Sequence, residues 1–171
     1  MHHHPSRTAI VAGVLLTAVG ATVPASAATQ TKATAKTSPP ARIVNARWAG
    51  HCTYDRLVID VQGSTPSVSV KSVNTLHYDP SGKKVPLAGK YFLETRLSPA
   101  AAHDSAGRSV YRGPRLVKIQ LPKLKGLALT GDFEGVVTFA TAFQTKPTYK
   151  VSKLHSPERV VLDFSHANSC G

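Results

Sequence analysis

Residues able to do covalent or acid–base chemistry are few in this chain, and their spacing limits what they can do together. Eight histidines and two cysteines are present, with nine acidic side chains against 21 basic ones. His2, His3 and His4 form a tract at the start, which reads as a metal-binding tract, an expression tag or a weakly charged leader. The other five, His51, His77, His103, His155 and His166, lie too far apart for the short-range pairs that zinc sites often use. No Gly-x-Ser-x-Gly elbow, His-Glu-x-x-His pair, Ser-x-x-Lys or Gly-rich phosphate loop occurs. Cys52 and Cys170 are an even pair, which in an oxidising compartment reads as one disulfide and not as a thiolate nucleophile. The sequence therefore points to no catalytic residue, no metal and no cofactor, and a hydrolase or a zinc site built from distant positions ranks last.

What remains is chemistry of recognition, and each candidate has a structural reading beside its functional one. In Asp132-Phe133-Glu134-Gly135, Glu134 can accept hydrogen bonds from sugar hydroxyls or peptide amides. The same residues also describe a turn in which Phe133 fills the core, Gly135 takes a positive φ and Glu134 pairs with an arginine. In Asp55-Arg56 and Glu158-Arg159 a guanidinium fork matches a ligand carboxylate, or equally Asp60 and Asp163 within the fold. Trp48, beside Arg47 and His51, stacks on a sugar face or caps the end of the fold. Trp48, His51, Tyr54, Arg56, Phe133, Glu134 and Arg159 make up the candidate ligand-binding set. Lys83-Lys84 and Lys118, Lys123 and Lys125 offer a polyanion-binding stripe or a solvated face. Tyr111-Arg112-Gly113-Pro114-Arg115 has the composition of a protease bait loop.

Charge and the N-terminal segment say where such recognition takes place. A positive end from Met1 to Arg7 precedes an apolar run from Ala9 to Val19, Gly20 and Pro24 break it, and Ala25-Ser26-Ala27 supplies the small residues of a signal-peptidase site. Residues 1–27 are expected to be a cleaved signal peptide; the run is too short to span a bilayer, and no later segment replaces it. Without a cysteine there, no lipid anchor is expected, and the mature protein is expected outside the cell or associated with the wall. The formal charge of +12 implies attraction to anionic surfaces, or serves solubility alone. Outside a bacterium the abundant polyanions are wall polymers, lipid head groups and carboxylate-bearing peptidoglycan stems, so a cell-wall polymer or an envelope protein is the expected partner, and export argues against nucleic acid.

The elements that must position these residues read as strands. Residues 28–41 are rich in Thr, Lys, Ala and Ser and end in prolines, the pattern of a flexible tether before a domain spanning 42–171. Within it, Arg56–Val61, Ser67–Val73, Tyr91–Leu97, Arg115–Leu121, Gly135–Phe143, Thr148–Leu154 and Arg159–Phe164 show β-branched enrichment or period-two alternation between turn signals. Tyr78–Lys83 is dense in turn formers, and Pro99–Asp104 has helical tendency enough for one turn or a loop. The pattern predicts an all-β antiparallel sandwich. An internal echo stands out: Asp55-Arg56-Leu-Val-Ile-Asp60-Val61 parallels Glu158-Arg159-Val-Val-Leu-Asp163-Phe164. Antiparallel pairing of these two strands would bring each arginine towards the other's aspartate. A Cys52–Cys170 bond would then join the two ends of the domain, contributing at most about 5 kcal/mol in the chain-entropy account.

Four motifs in order, His51-x-x-Tyr-Asp-Arg-Leu-Val-Ile-Asp-Val61, Leu87-Ala-Gly89 before Tyr91-Phe-Leu93, Gly131-Asp-Phe-Glu-Gly135, and Ser156-Pro-Glu-Arg-Val-Val-Leu-Asp-Phe164, resemble the AMIN-like domain family over nearly the whole span from Arg42 to His166. That resemblance implies a β-sandwich related to the AMIN modules of periplasmic amidases and secretins, carried by exported actinobacterial proteins. It also implies a localising role in the envelope with peptidoglycan as ligand, to which the basic charge adds anionic wall polymers, and the missing catalytic motifs make that role a non-catalytic one. Tyr54 stands where the family usually has Phe, and the cysteine pair is a local addition. The alternative from a different class is a secreted protein-binding module, such as an inhibitor of extracellular proteases.

Overall fold

In the computed structural model, which describes residues 39–170, alternation along the chain becomes ten strands and, among the described residues, no helix. They are β1 (Ala41–Gly50), β2 (Tyr54–Gln62), β3 (Ser67–Val73), β4 (Tyr91–Ser98), β5 (Ala100–Ala101), β6 (Leu116–Lys118), β7 (Leu124–Phe133), β8 (Val136–Phe143), β9 (Tyr149–Leu154) and β10 (Arg159–Ser165). One sheet has the order β5-β1-β2-β10-β9 and the other β3-β4-β8-β7-β6. All neighbours are antiparallel except β1 and β5. The fold is the two-sheet, all-β arrangement that the spacing predicts.

The core forms where alternate residues of both sheets meet. Leu57, Ile59 and Val61 on β2 and Val160, Leu162 and Phe164 on β10 face Leu93 and Leu97 on β4 and Phe139 and Phe143 on β8. Each large side chain removed from water contributes about 1.5–3 kcal/mol before entropy is counted. The second sheet is covered on its outer face too. There Leu76, Val85 and Leu87 of the β3–β4 connection lie over Ala128, Ala140 and Ala142. Small residues on β7 and β8 let that segment lie flat: a Cβ on Gly126 would sit 2.6 Å from Leu87 Cδ2.

The two sides of the sandwich differ. On one, the segment between β5 and β6 straps the sheets together, with Arg112 N–H donating to Val44 O and Leu129 N–H donating to Arg115 O, each at 2.9 Å. Tyr111 anchors the strap against Phe139, ring centroids 5.7 Å apart, and its hydroxyl donates to Pro114 O. A Cβ on Gly113 would meet that hydroxyl at 2.4 Å. The bait-like sequence is therefore fastened to the body and does not stand off from it. The other side carries the edge strands β3 and β9, where Tyr149 and Val151 are exposed.

Some expectations change. Pro99–Asp104, read as a helical turn or loop, instead makes the two-residue strand β5 and a bridge from His103 to Ser109, because Ala41 and Arg42 offer a free edge. Arg115–Leu121 shortens to β6. The long strands β1 and β7 are additions to the sequence reading, and β1 already includes buried Ala41. Cys52 and Cys170 are bonded, their Cα atoms 5.0 Å apart, and Ser169 N–H donates to Cys52 O. Residues 1–38, with the expected signal peptide and most of the tether, lie outside the described residues.

Candidate functional site

The echoed strands are neighbours, in the register their sequences ask for. Arg56 lies opposite Asp163 and Asp60 opposite Arg159 on the outer face of the first sheet. Arg56 closes a two-pronged pair with Asp163 at 2.7 and 2.8 Å, and the hydrogen bond to Asp163 raises its already high pKa further. The second half of the expected symmetry does not form. Asp60 is taken by Arg47, at 3.1 Å to each oxygen, while Arg159 donates to Pro157 O. Val58 and Val161 are buried on this face, beneath the row of charged side chains that flanks them in the register. Tyr54 stacks on His51 with centroids 4.4 Å apart, and Arg56 lies over the Tyr54 ring at 5.1 Å. Trp48 packs against the main core, which is the capping role. Asp55 is fully buried, accepting from Lys123 N–H and Leu124 N–H and lying 3.2 Å from His166 Nε2, so it ties the β1–β2 end to β7 and to the C-terminal segment.

Phe133 and Glu134 lie elsewhere. Glu134 and Gly135 have φ of 48° and 74°, the signs of a two-residue type I′ hairpin turn joining β7 to β8. The turn docks through Gly135 O, which accepts from Ala100 N–H next to the start of β1, whereas His51 and Tyr54 flank the β1–β2 connection at the far end. Phe133 does not fill the core. It is 47% exposed, because its register opposite Val136 puts it on the outer face of the second sheet. Glu134 makes no ion pair among the described residues; the carboxylate that does structural service here is Asp132, which accepts from Ala102 N–H and holds His103 at 2.8 Å. Trp48, His51, Tyr54 and Arg56 thus cluster at one end, Arg159 sits along the outer face of the first sheet, and Phe133 and Glu134 belong to the other end of the second sheet. The seven candidates do not converge on one groove.

Two adjoining open hollows, of about 430 and 310 Å³, do occur on the outer face of the second sheet. They share Tyr78, Asp79 and Thr130; Arg115 lines the larger, and Arg96 with Thr138 the smaller. The Tyr78–Asp79 segment between them is fixed by Asp79 N–H donating to Thr130 O at 2.8 Å. Gly131 permits this approach, since a Cβ there would lie 3.3 Å from Asp79 Cβ. Of these residues the sequence singles out Arg115, as part of a bait loop, and Gly131, as the start of a motif, but neither as part of a hollow; the others are read only as part of a turn or a strand. The available signals were an arginine on the polar phase of β4 and a glycine inside a strand pattern.

Residues 41–166 match the AMIN-like domain family. The chain belongs to that family. No curated protein and no solved structure matches it. AMIN-like domains are generally non-catalytic binding modules and occur in exported and periplasmic proteins. In this AMIN-like domain the matched span takes in all ten strands. Among the described residues no group of three or more His, Cys, Asp or Glu side chains is placed to hold a metal ion, and no helix is long and apolar enough to cross a membrane.

The domain's electrostatics are lopsided in a specific way. Asp60, Asp163 and Asp104 neutralise Arg47, Arg56 and Arg108, while Asp55, Asp132 and Glu158 are held by His166, His103 and His155. Among the described residues no lysine is ion-paired with a carboxylate, and neither is Arg96, Arg115 or Arg159. The acids are largely spent on holding the fold, which leaves the basic excess facing solvent.

Proposed function

We propose that this AMIN-like protein is an exported, non-catalytic binding module that attaches to the bacterial cell wall through anionic polymers, peptidoglycan or the anionic chains attached to it. The observation that carries this reading is the disposition of charge. In a molecule of formal charge +12, most carboxylates are engaged in internal contacts, whereas among the described residues no lysine is ion-paired with a carboxylate, and only Lys123 and Lys125 give their ammonium groups to neutral oxygens of the fold. A surface of that kind concentrates polyanions and binds them in a salt-dependent way. The family membership supports the setting, because such domains work in the envelope. The strap from Tyr111 to Arg115 speaks against the bait-loop alternative, since Arg112 N–H is already bonded within the fold and Gly113 is packed under Tyr111.

The test is co-sedimentation of the purified protein with insoluble wall sacculi over a range of salt concentrations. Retention at low ionic strength that declines as the Debye length shrinks from about 10 Å at 0.1 M salt to about 3 Å at 1 M is the expected outcome. No retention at any salt concentration would remove the proposal.

A further inference from the structure

We infer that the paired hollows on the outer face of the second sheet are the binding site for an anionic saccharide chain, a deepening that rests on the envelope-binding reading above. Arg115, the residue that precedes β6, lines the larger hollow and Arg96 on β4 the smaller, three strand spacings apart in the order β4-β8-β7-β6. At about 4.8 Å per strand, with the offset along the strands, their Cα atoms are roughly 15 Å apart. Both guanidinium groups are available to a ligand. Arg96 makes no side-chain hydrogen bond or ion pair among the described residues, and Arg115 donates only to the Ser109 hydroxyl. A guanidinium fork is matched by the two oxygens of a carboxylate or a phosphodiester. Two forks at that separation fit a polymer that repeats its anions along its length.

What lies between the two arginines narrows the ligand further. Tyr78 presents a hydroxyl, while the buried Thr130 hydroxyl is spent on Thr138 O, and Asp79 and Glu94 bring carboxylates with no ion-pair partner among the described residues. Asp79 and Glu94 would repel a chain of uninterrupted negative charge. They accept hydrogen bonds from a segment that is neutral and rich in hydroxyl groups, which is what a sugar or polyol supplies between its anionic substituents. Phe133 completes the site. It lies on the same face of β7 as Gly131, which lines the larger hollow, and its exposed ring offers the flat apolar surface on which a pyranose stacks. Its exposure, otherwise unexplained in a hairpin next to a well-filled core, acquires a use. The main chain that shapes the hollows is held by the Asp79–Thr130 hydrogen bond and by the close approach at Gly131, so the site needs little ordering on binding.

The site is tested by measuring affinity for sacculi with four variants of unchanged circular dichroism. Arg96→Ala/Arg115→Ala is expected to weaken binding roughly tenfold or more, and Phe133→Ala roughly threefold or more. Lys150→Ala/Lys153→Ala removes the same charge from edge strand β9 and is expected to stay within about twofold of the parent. Equal losses in the two double variants would overturn the site while leaving envelope binding by diffuse charge intact. Failure of the parent protein to bind would remove both. Arg96→Lys/Arg115→Lys keeps the charge and loses the fork, so intermediate affinity is expected; full affinity would overturn recognition by the guanidinium geometry. Repeating the series on sacculi stripped of phosphodiester polymers identifies the anion. Retained binding with the same ranking assigns it to peptidoglycan carboxylates, binding lost on stripping assigns it to the phosphodiester chains, and a ranking that vanishes on both materials overturns the site.

Discussion

A single tyrosine shows how tightly the strap is bound to the sandwich. Burial pushes the Tyr111 hydroxyl up to about 12 from an ordinary 10.0, against a lowering influence from Arg115. The neutral phenol is therefore favoured in the folded state. The unfolded chain gives up this proton first, so the stabilisation is fully present below pH 10 and declines as the pH rises from 10 towards 12. Tyr111→Phe keeps the ring against Phe139 and deletes the titration. The expected result is that the thermal midpoint of the parent falls more steeply between pH 9.5 and pH 11.5 (about the window in which the two states differ) than that of the variant. Parallel curves would show that the hydroxyl is not desolvated. Arg56 belongs to the same scale: its partner Asp163 was named by the echo in the sequence, and the register makes the pair without help from any other element.

Strands reveal which parts of the fold are legible in sequence and which are not. β2, β3, β4 and β10 are readable because one face is apolar and the other polar, or because aliphatic residues run together in the middle of a sheet. β1 is obscured by a register shift between Ile43 and Asn45, which buries Ile43 and Val44 in succession and breaks the alternation. β7 is obscured by two shifts and by covering on both faces, so glycine and alanine occupy positions where a half-buried strand would have polar groups. The hollows escaped for a related reason: they depend on where the Tyr78–Asp79 segment crosses β7, a long-range contact that leaves only Gly131 as a local trace. The β7–β8 turn provides a prediction at this scale. A type I′ turn needs positive φ at both central positions, and Asn-Gly meets that need better than Glu-Gly. Glu134→Asn is expected to stabilise the domain by about 0.5–1 kcal/mol in denaturant unfolding. Binding to sacculi should be unchanged, because the recognition chemistry is assigned to Phe133 and the arginines. A loss of affinity with stability gained would return Glu134 to the site as a ligand-contacting carboxylate.

Across the whole molecule, the staple and the binding face are at separate places. Cys52 follows β1, Cys170 follows β10, and the bond closes a loop of 118 residues that contains almost every strand. Constraint of an unfolded loop that long is worth at most about 5 kcal/mol, and removal of a native disulfide typically costs about 2–5 kcal/mol. Domains of this size have roughly 5–15 kcal/mol of stability in total, so reduction lowers the margin without necessarily removing it. Native bonds at the same end share the work: Ser169 N–H to Cys52 O, His166 N–H to Thr53 O, and the contacts of buried Asp55. Cys52→Ala/Cys170→Ala is therefore expected to lower the denaturant midpoint clearly while the domain stays folded at 25 °C. Because the hollows are built from the β3–β4 connection and the second sheet, sacculus affinity at 25 °C should remain within about twofold of the parent. A variant that keeps its far-ultraviolet β signature and loses affinity would mean that the stapled end contributes to binding. In that event Trp48, His51, Tyr54 and Arg56, which gather there, would take precedence over Arg96, Arg115 and Phe133 as the contact surface.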